Sequence, residues 1–587
     1  MAPSPTMKVP RPRRDVVPGR PSVRARADRR LPLLAAAATA VVGVVNVTSA
    51  LAPPPSGHAA SVDRLAAGEL VVAVHALSLP AGVLLLTLAA FLARRRRRAL
   101  WVALAVLVAV GLLQLRGGLD LVEATVSLAV AACLVAGRAA FVVRHEDGAL
   151  GVALLRILGV AAAVGMAVFG TVRAAVPWSF PGATNDQVLA ETGALLTGTR
   201  GPLHLPDALA WLPLASGGLV AVAIAVAGWL LFRPLPVPDD APTPESRELV
   251  AATVRAHGHD TLSAFKLRPD VRTLVSADGR AFVSYRVDSG VLVISGDPVG
   301  PEDALPALVA EVRRFAGEHD LRIAAIGASD AFAELAVAGG LRSLYLGDEA
   351  IVQTAAFTLE GRPIKKVRQA VGRVERAGYR AEVRQLGDCD EVRIRELEDV
   401  SAQWRGDARE RGFSMAMDGL RGPHVQDSLV VVARDDAGRA RGFLHFVPAY
   451  GRAAMSLSLM RRDHDTPNGL TEFLVVRAIE LLRDRGVEEL SLNFAVFARW
   501  VHAPTGPVER LLGRAVLRAD GVFQLESLYR FNAKFSPRWV PRHLLYESAL
   551  SLPRTALAAA WIEGHLPRPA LVRGRTAAPA APARVAG

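Results

Sequence analysis

Residues 454–494 read AMSLSLMRRDHDTPNGLTEFLVVRAIELLRDRGVEELSLNF, and this stretch decides the fold of the second half of the chain. From Ala454 to Arg461 the residues alternate, Met455, Leu457 and Leu459 against Ser456, Ser458 and Met460, which is the period of a strand with one apolar face. Asn468 and Gly469 then open a helix that runs through Arg485, and Gly486 closes it where a left-handed backbone is tolerated. Glu489 to Phe494 is the next strand. Upstream, Ser428 to Ala433 and Gly442 to Val447 flank the turn Asp435-Asp436-Ala437-Gly438, so a hairpin precedes this strand, helix and strand.

The same order occurs earlier. Ala281 to Tyr285 and Val291 to Ser295 are β-rich runs joined by the hairpin signal Asp288-Ser289-Gly290. Pro301 to Gly317 has helical spacing at Leu305, Leu308, Val309, Val312 and Phe315, and Leu321 to Gly327 reads as a buried strand. Hairpin, helix and strand, given twice, is the order of an acyltransferase fold of the GNAT type, an α/β layer with a mixed sheet. Two such tandem units are expected. One large sheet of no special ancestry is the alternative.

The rest of the chain differs in character. Up to about Pro236 it is dominated by Ala, Val, Leu and Gly; beyond that, charged and apolar residues mix as in a water-facing domain. A hydrocarbon core of about 30 Å needs roughly 20 apolar residues per helix. About six runs qualify, near Leu31 to Leu51, Leu70 to Ala93, Leu100 to Leu115, Leu121 to Val143, Leu150 to Val176 and Leu209 to Phe232. The eight arginines and one lysine of residues 1–30, the run Arg94 to Arg98, and Arg138 with Arg144 mark alternate loops as basic. The expectation is a multi-pass cell-membrane protein with its N-terminus and the large α/β domain in the cytoplasm. Pro177 to Leu205 reads as an external loop, and Asp120 and Glu123 either as interfacial acids or as part of a proton or ion path. The expected divisions are 1–30 basic arm, 31–233 transmembrane domain, 234–258 linker and leading helix, 259–360 first GNAT-like unit, 361–550 second unit with the catalytic site, and 551–587 tail.

A net charge of +13 suits an anionic partner, phospholipid or nucleic acid, and part of the excess is accounted for by membrane topology. Cys133 and Cys389 form no disulfide framework, and no zinc spacing, Walker A loop or dinucleotide fingerprint occurs, so no metal is expected. Acetyl-CoA users hold the pyrophosphate on a glycine-rich turn at a helix start. Here Gly296-Asp297-Pro298-Val299-Gly300 carries a proline and an acid, and residues 461–469 lack the glycine pair. A CoA donor is disfavoured, and no cofactor is expected. From Arg362 to Tyr379, Ile364, Val367, Val371 and Val374 gather on one side of a helix while Lys365, Lys366, Arg373 and Arg376 spread over the other. Such a basic face suits tRNA phosphates or an anionic leaflet, and equally a solvated surface. Arg461, Arg462, Asp520, Glu526, Arg530, Lys534, Arg538 and Arg542 supply the cations and acids that moving an aminoacyl ester to a lipid hydroxyl requires, although protein surfaces carry such residues too. His257, His259 and His464 are candidate bases or packing residues.

Several ordered motifs then resemble one family. Phe357-Thr358-Leu359-Glu360-Gly361, Lys366-Val367-Arg368-Gln369-Ala370-Val371, Gly412-Phe413-Ser414-Met415, Ser456-Leu457-Ser458-Leu459-Met460-Arg461, Pro467-Asn468-Gly469 and Lys534-Phe535-Ser536-Pro537-Arg538-Trp539 follow one another as in lysyl-phosphatidylglycerol synthases of the multiple peptide resistance factor type. Ser491-Leu492-Asn493-Phe494 and Glu526-Ser527-Leu528-Tyr529-Arg530 are similar to the branch fused to a lysyl-tRNA synthetase. The resemblance covers about Thr261 to Tyr546. It implies transfer of an amino acid, lysine in that family, from aminoacyl-tRNA to the glycerol hydroxyl of phosphatidylglycerol at the bilayer, without metal or CoA, lowering the negative charge of the membrane. It implies a catalytic set of Arg461, Asp520, Lys534 and Arg538. Substrate binding is expected of Ser458, Asn468, Asn493, Glu526, Arg530 and Arg542, and tRNA binding of Lys365, Lys366, Arg368, Arg373 and Arg376. Ser458 departs from the family's usual Asp, which leaves the donor amino acid open, and the membrane part is smaller than that of flippase-bearing members. Rival readings are an acyl-CoA or peptidoglycan-precursor aminoacyltransferase, and a non-catalytic membrane transporter or sensor.

Overall fold

The computed structural model describes residues 23–51, 67–117, 121–143, 150–199, 201–232, 237, 242–406, 412–496 and 522–566. Most of the basic arm, Asp120, Arg144, Trp500, Asp520 and the tail beyond residue 566 lie outside them. The chain divides into a helical unit and an α/β unit that begins at Asp239.

The helical unit contains α1 (Val23–Leu51), α2 (Ala67–Leu92), α3 (Arg97–Gly117), α4 (Leu121–Ala136), α5 (Leu150–Ser179), α6 (Asn185–Thr197) and α7 (Leu212–Leu231). Each of the six expected apolar runs contains a helix, although that in Leu121 to Val143 ends at Ala136. Among the described residues, four segments are long and apolar enough to cross a membrane: Leu31–Thr48, Arg97–Leu115, Ala153–Ser179 and Asp207–Leu231; Leu79–Leu92 and Leu121–Ala136 are shorter. Helix α6 corrects the reading of residues 177–205 as loop. Thr184 and Gln187 each bond the other's backbone N–H in a capping box, and Gly198 ends the helix at φ +77°.

In the α/β unit, α8 (Pro244–His257) leads into β1 (Arg272–Val275), β2 (Phe282–Asp288), β3 (Val291–Ser295), α9 (Leu305–Glu318), β4 (Arg322–Ala328), α10 (Asp330–Ala338) and β5 (Arg342–Gln353). The second half continues with α11 (Lys365–Arg376), β6 (Arg380–Gln385), α12 (Glu391–Arg405), β7 (Leu429–Arg434), β8 (Ala440–Ala449), β9 (Ala454–Arg462), α13 (Leu470–Arg483), β10 (Glu489–Val496), α14 (Val522–Ala533), β11 (Arg538–Tyr546) and α15 (Leu552–Ile562). The expected hairpin, helix and strand are present twice. In the first hairpin Ser289 and Gly290 both take positive φ, 50° and 71°, the two-residue turn whose twist matches its strands.

All eleven strands form one sheet, in the order β1-β2-β3-β4-β11-β5-β10-β9-β8-β7-β6. β3 with β4 and β9 with β10 are its parallel pairs. The halves exchange strands: β11 lies between β4 and β5, and β5 in turn lies between β10 and β11. On one face of the second half, Val367, Val371 and Val374 of α11 and the apolar side of α13 pack on Leu444, Phe446 and Leu457. On the other, Leu397 and Val400 of α12 pack with Val430, Val432 and Phe443.

Candidate functional site

A row of extra residues crosses the middle of the sheet. Gly327 in β4, Leu346 in β5, Leu492 with Asn493 in β10, and Ser458 in β9 fall where the ladder shifts register. Such bulges bend strands and re-aim side chains. At Ser458 the bend overturns the strict alternation read from the sequence: Leu457 packs with α11 and α13, whereas Leu459 packs on the α12 face. β9 and β10 pair only over Ala454–Ser456 and Glu489–Ser491, and their ladder ends as the bulges begin. There Asn493, at φ +71°, donates its side-chain amide to the carbonyls of Leu457 (3.2 Å) and Met415 (2.9 Å). The Ser458 hydroxyl accepts from the Met417 N–H at 3.0 Å.

Under this crease lies a buried cluster of charge. Glu349, fully buried, accepts hydrogen bonds from Thr261 (2.6 Å), Ser491 (2.5 Å) and the Arg542 guanidinium (2.9 Å from Nε). Arg542 also pairs with Asp260 at 2.7 Å. Burial opposes the Arg542 charge, and Asp260 and Glu349 more than offset that, so its pKa is raised. Burial likewise works against the Asp260 carboxylate, but Arg542 and Lys266 hold it below its ordinary range. Lys266 is buried with no hydrogen-bond partner for its ammonium among the described residues, and burial pushes it down to about 8. Asp297, raised by burial and by Asp260, accepts from the N–H and hydroxyl of Ser329 ahead of α10.

The segment 412–417, which carries the Gly-Phe-Ser-Met motif, is clamped against the crease. Arg268 donates to the carbonyls of Gly412 and Ala416, and Glu563 accepts from Phe413 N–H (2.8 Å) and from the Ser414 hydroxyl (2.6 Å). Beyond the bulge, Arg461 stands opposite Phe443 on the α12 face, its guanidinium 4.1 Å from the ring centre of Trp404.

The expected site residues separate into groups. Ser458 and Asn493 both lie at the crease, and Arg461 follows three residues further along β9. Lys534 belongs to the other face: it pairs with Glu472 in the first turn of α13 at 2.8 Å, while its neighbour Phe535 fills the core beneath α11 and α13. No contact joins Lys534 to Arg461 among the described residues. Arg538 pairs with Glu489 at 2.9 Å. Glu489 stands beside Ala454, the far end of β9, roughly 23 Å from Arg461 at ~3.3 Å per residue. Arg538 and Arg461 therefore do not share a pocket. Arg542 is enclosed by Glu349 and Asp260 rather than presented to a ligand. Asn468 offers its carbonyl to Arg373, and the next residue, Gly469, takes φ +102° where a Cβ would lie 2.7 Å from that of Ala370. The Pro-Asn-Gly motif thus seats α13 directly on α11. Glu526 lies in α14, and Arg530 is exposed on the same helix.

On α11, Lys365, Lys366, Arg368, Arg373 and Arg376 are all exposed opposite the buried valines, as the helical spacing requires. Arg368 and Arg376 are tied to carbonyls of Leu359 and Gly372, so the face is partly pre-ordered. A surface groove of about 550 Å³ lies elsewhere, at the β6 edge, where the ion pair of Arg434 with Glu382 satisfies its walls.

Sequence reasoning missed Glu349, Asp260, Lys266, Glu563 and Trp404. A mid-strand acid between Asp348 and Ala350, and a lysine inside Leu262-Ser263-Ala264-Phe265-Lys266-Leu267, were the available signals for two of them.

Residues 251–546 match the family model described as phosphatidylglycerol lysyltransferase, C-terminal. The lysylphosphatidylglycerol biosynthesis bifunctional protein of Gordonia bronchialis is 37% identical over 364 residues, 60% of this chain and 32% of that protein. The protein of the same description from Nocardia farcinica is 39% identical over 315 residues, 53% and 28% of the respective lengths. This chain thus spans about a third of these relatives. The solved structure of L-PGS from Bacillus licheniformis aligns with a TM-score of 0.51 at 26% identity, over 56% of this chain and 99% of that one. The match over residues 251–546, half of the chain, therefore assigns it to the phosphatidylglycerol lysyltransferase C-terminal family.

Proposed function

We propose that the chain transfers an aminoacyl group, lysine in the first instance, from aminoacyl-tRNA to the glycerol hydroxyl of phosphatidylglycerol. The observation that carries this is family membership together with the meeting of the Ser-Leu-Ser-Leu-Met-Arg, Ser-Leu-Asn-Phe and Gly-Phe-Ser-Met motifs at the crease. In the reaction the lipid hydroxyl attacks the ester carbonyl, a tetrahedral oxyanion forms, and the tRNA ribose oxygen leaves with the proton given up by the attacking hydroxyl. No net charge is made or lost, so catalysis rests on orientation and on a cation near the developing oxyanion.

Arg461 takes that role in this reading, and the basic face of α11, over the other side of the sheet, is offered to the body of the tRNA. Lys534, paired with Glu472 on the other face of the sheet, takes no part at the ester in this reading. Asp520 or Glu526 receives the donor ammonium. Arg542 serves the architecture in this reading, since it is buried against Glu349 and Asp260. We place the apolar helices in the bilayer, the N-terminus and the α/β unit on the cytoplasmic side where charged tRNA is found, and the two GNAT-like units near residues 259–360 and 361–550.

Membranes from cells producing the full chain, incubated with radiolabelled lysyl-tRNA, are expected to carry label into phosphatidylglycerol in an RNase-sensitive way. Arg461→Ala should lower the rate by about 100-fold or more with thermal stability kept. Label absent from lipid, or an Arg461→Ala rate equal to wild type, sinks the proposal. Mass spectrometry of the lipid names the amino acid.

A further inference from the structure

Helix α12 meets the sheet through a stripe, and its last member is out of place. Asp390 caps the helix by accepting from the Arg393 N–H, and Leu397 and Val400 are buried against β7 and β8. Trp404, four residues beyond Val400 and seven beyond Leu397, continues the same stripe. An inward-facing tryptophan at that spacing belongs in a core, yet this one is 40% exposed. What its ring covers is the Arg461 guanidinium, at 4.1 Å. Arg461 is itself on the α12 face because the Ser458 bulge, one turn of pleat earlier, re-aims the end of β9.

The geometry points to Trp404 as a positioning residue for Arg461, which rests on the function proposed above. A guanidinium donates hydrogen bonds only from its edge, and its two faces are weakly hydrated. Stacking one face on an indole fixes the plane of the fork, and with it the direction in which the N–H edge donates. A lysine has no such plane, so the stack gives a reason for arginine at position 461 that charge alone does not. Trp404 acts through Arg461 and needs no contact with either substrate.

The test is steady-state kinetics of the full chain in phosphatidylglycerol-containing membranes, with lysyl-tRNA and lipid varied in turn. Trp404→Leu is expected to lower kcat about 10- to 30-fold with KM for both substrates within about threefold, while Trp404→Phe, which keeps a π face, stays within about threefold of wild type. Arg461→Lys should fall at least as far as Trp404→Leu, and adding Trp404→Leu to Arg461→Lys should cost little more, because the stack is already lost. A Trp404→Leu rate equal to wild type overturns the inference, as does a Trp404→Phe as poor as Trp404→Leu. A change confined to KM overturns it too, since it would make Trp404 a substrate contact. A wild-type chain that transfers nothing overturns the functional reading itself and the role of the stack with it.

Discussion

The two parallel strand pairs began from the same sequence pattern and end differently. β3 and β4 stay in register over five residue pairs, from Val291 with Arg322 to Ser295 with Ile326, and the chain after β3 turns into a packed plug of Asp297, Ser329 and Lys266. β9 and β10 hold register over three pairs, then part around Ser458 and Asn493. β4 bulges as well, at Gly327, so the two pairs differ in what lies against their strand ends and not in the bulge itself. In the first half the groups beyond the strand ends bond to one another, Asp297 to Ser329, whereas in the second Ser458 and Asn493 tie the parting strands to the Gly-Phe-Ser-Met segment.

The largest break expected in this comparison comes from the pair that underlies both regions. Glu349→Leu leaves Arg542 buried with half its partners, and unfolding of the full chain in detergent should report a loss of about 3–5 kcal/mol. A melting temperature equal to wild type would show that the pair contributes nothing.

His445 sharpens the contrast on the open side. It is fully buried on the α12 face, neither ring nitrogen has a partner among the described residues, and burial pushes it down to about 3. Its folded pKa lies below the unfolded value, so the stability it contributes is present above about pH 6.5 and is lost as pH falls toward 3. His445→Phe should remove that loss, gaining about 2 kcal/mol on wild type between pH 7 and pH 5. Parallel pH curves for the two proteins would refute it.

On the sealed side, Asp297→Ala deletes the acceptor for both the N–H and the hydroxyl of Ser329, and should cost about 1–2 kcal/mol while leaving the transfer rate of folded protein unchanged. A large fall in kcat at full stability would move the site to the first half. Smallest is Ser289→Gly in the first hairpin, where relief of a left-handed non-glycine residue should stabilise by about 0.5–1 kcal/mol in the same unfolding assay.

The periodic elements were legible in the sequence because local spacing causes them: α13, β9, the Ser289-Gly290 hairpin and the amphipathic α11 all follow from their own residues. The bulge at Ser458 was not, because alternation looks unbroken until tertiary packing sends Leu459 to the other face. Strand exchange was not legible either, since β11 finds β4 and β5 across most of the domain. At the candidate site, motif order drew attention to Arg461, Ser458 and Asn493. Residue type had grouped Arg542 with them, and its reach to Glu349 is a property of the fold alone. Helix α6 had its signal in Thr184 and Gln187, outweighed by the surrounding Pro, Gly and Thr.

The placing of β11 between β4 and β5 has a consequence for how the protein is made. A ribosome delivers β5 long before β11, and at about 5–20 residues per second the interval from Gln353 to Arg538 is roughly 10–40 s. Until β10 is made, β4 has one unpaired edge and β5, whose partners β10 and β11 are both still to come, has two. The nascent chain must keep them apart, by a chaperone or by its own later segments, until the last strand arrives to close both halves at once.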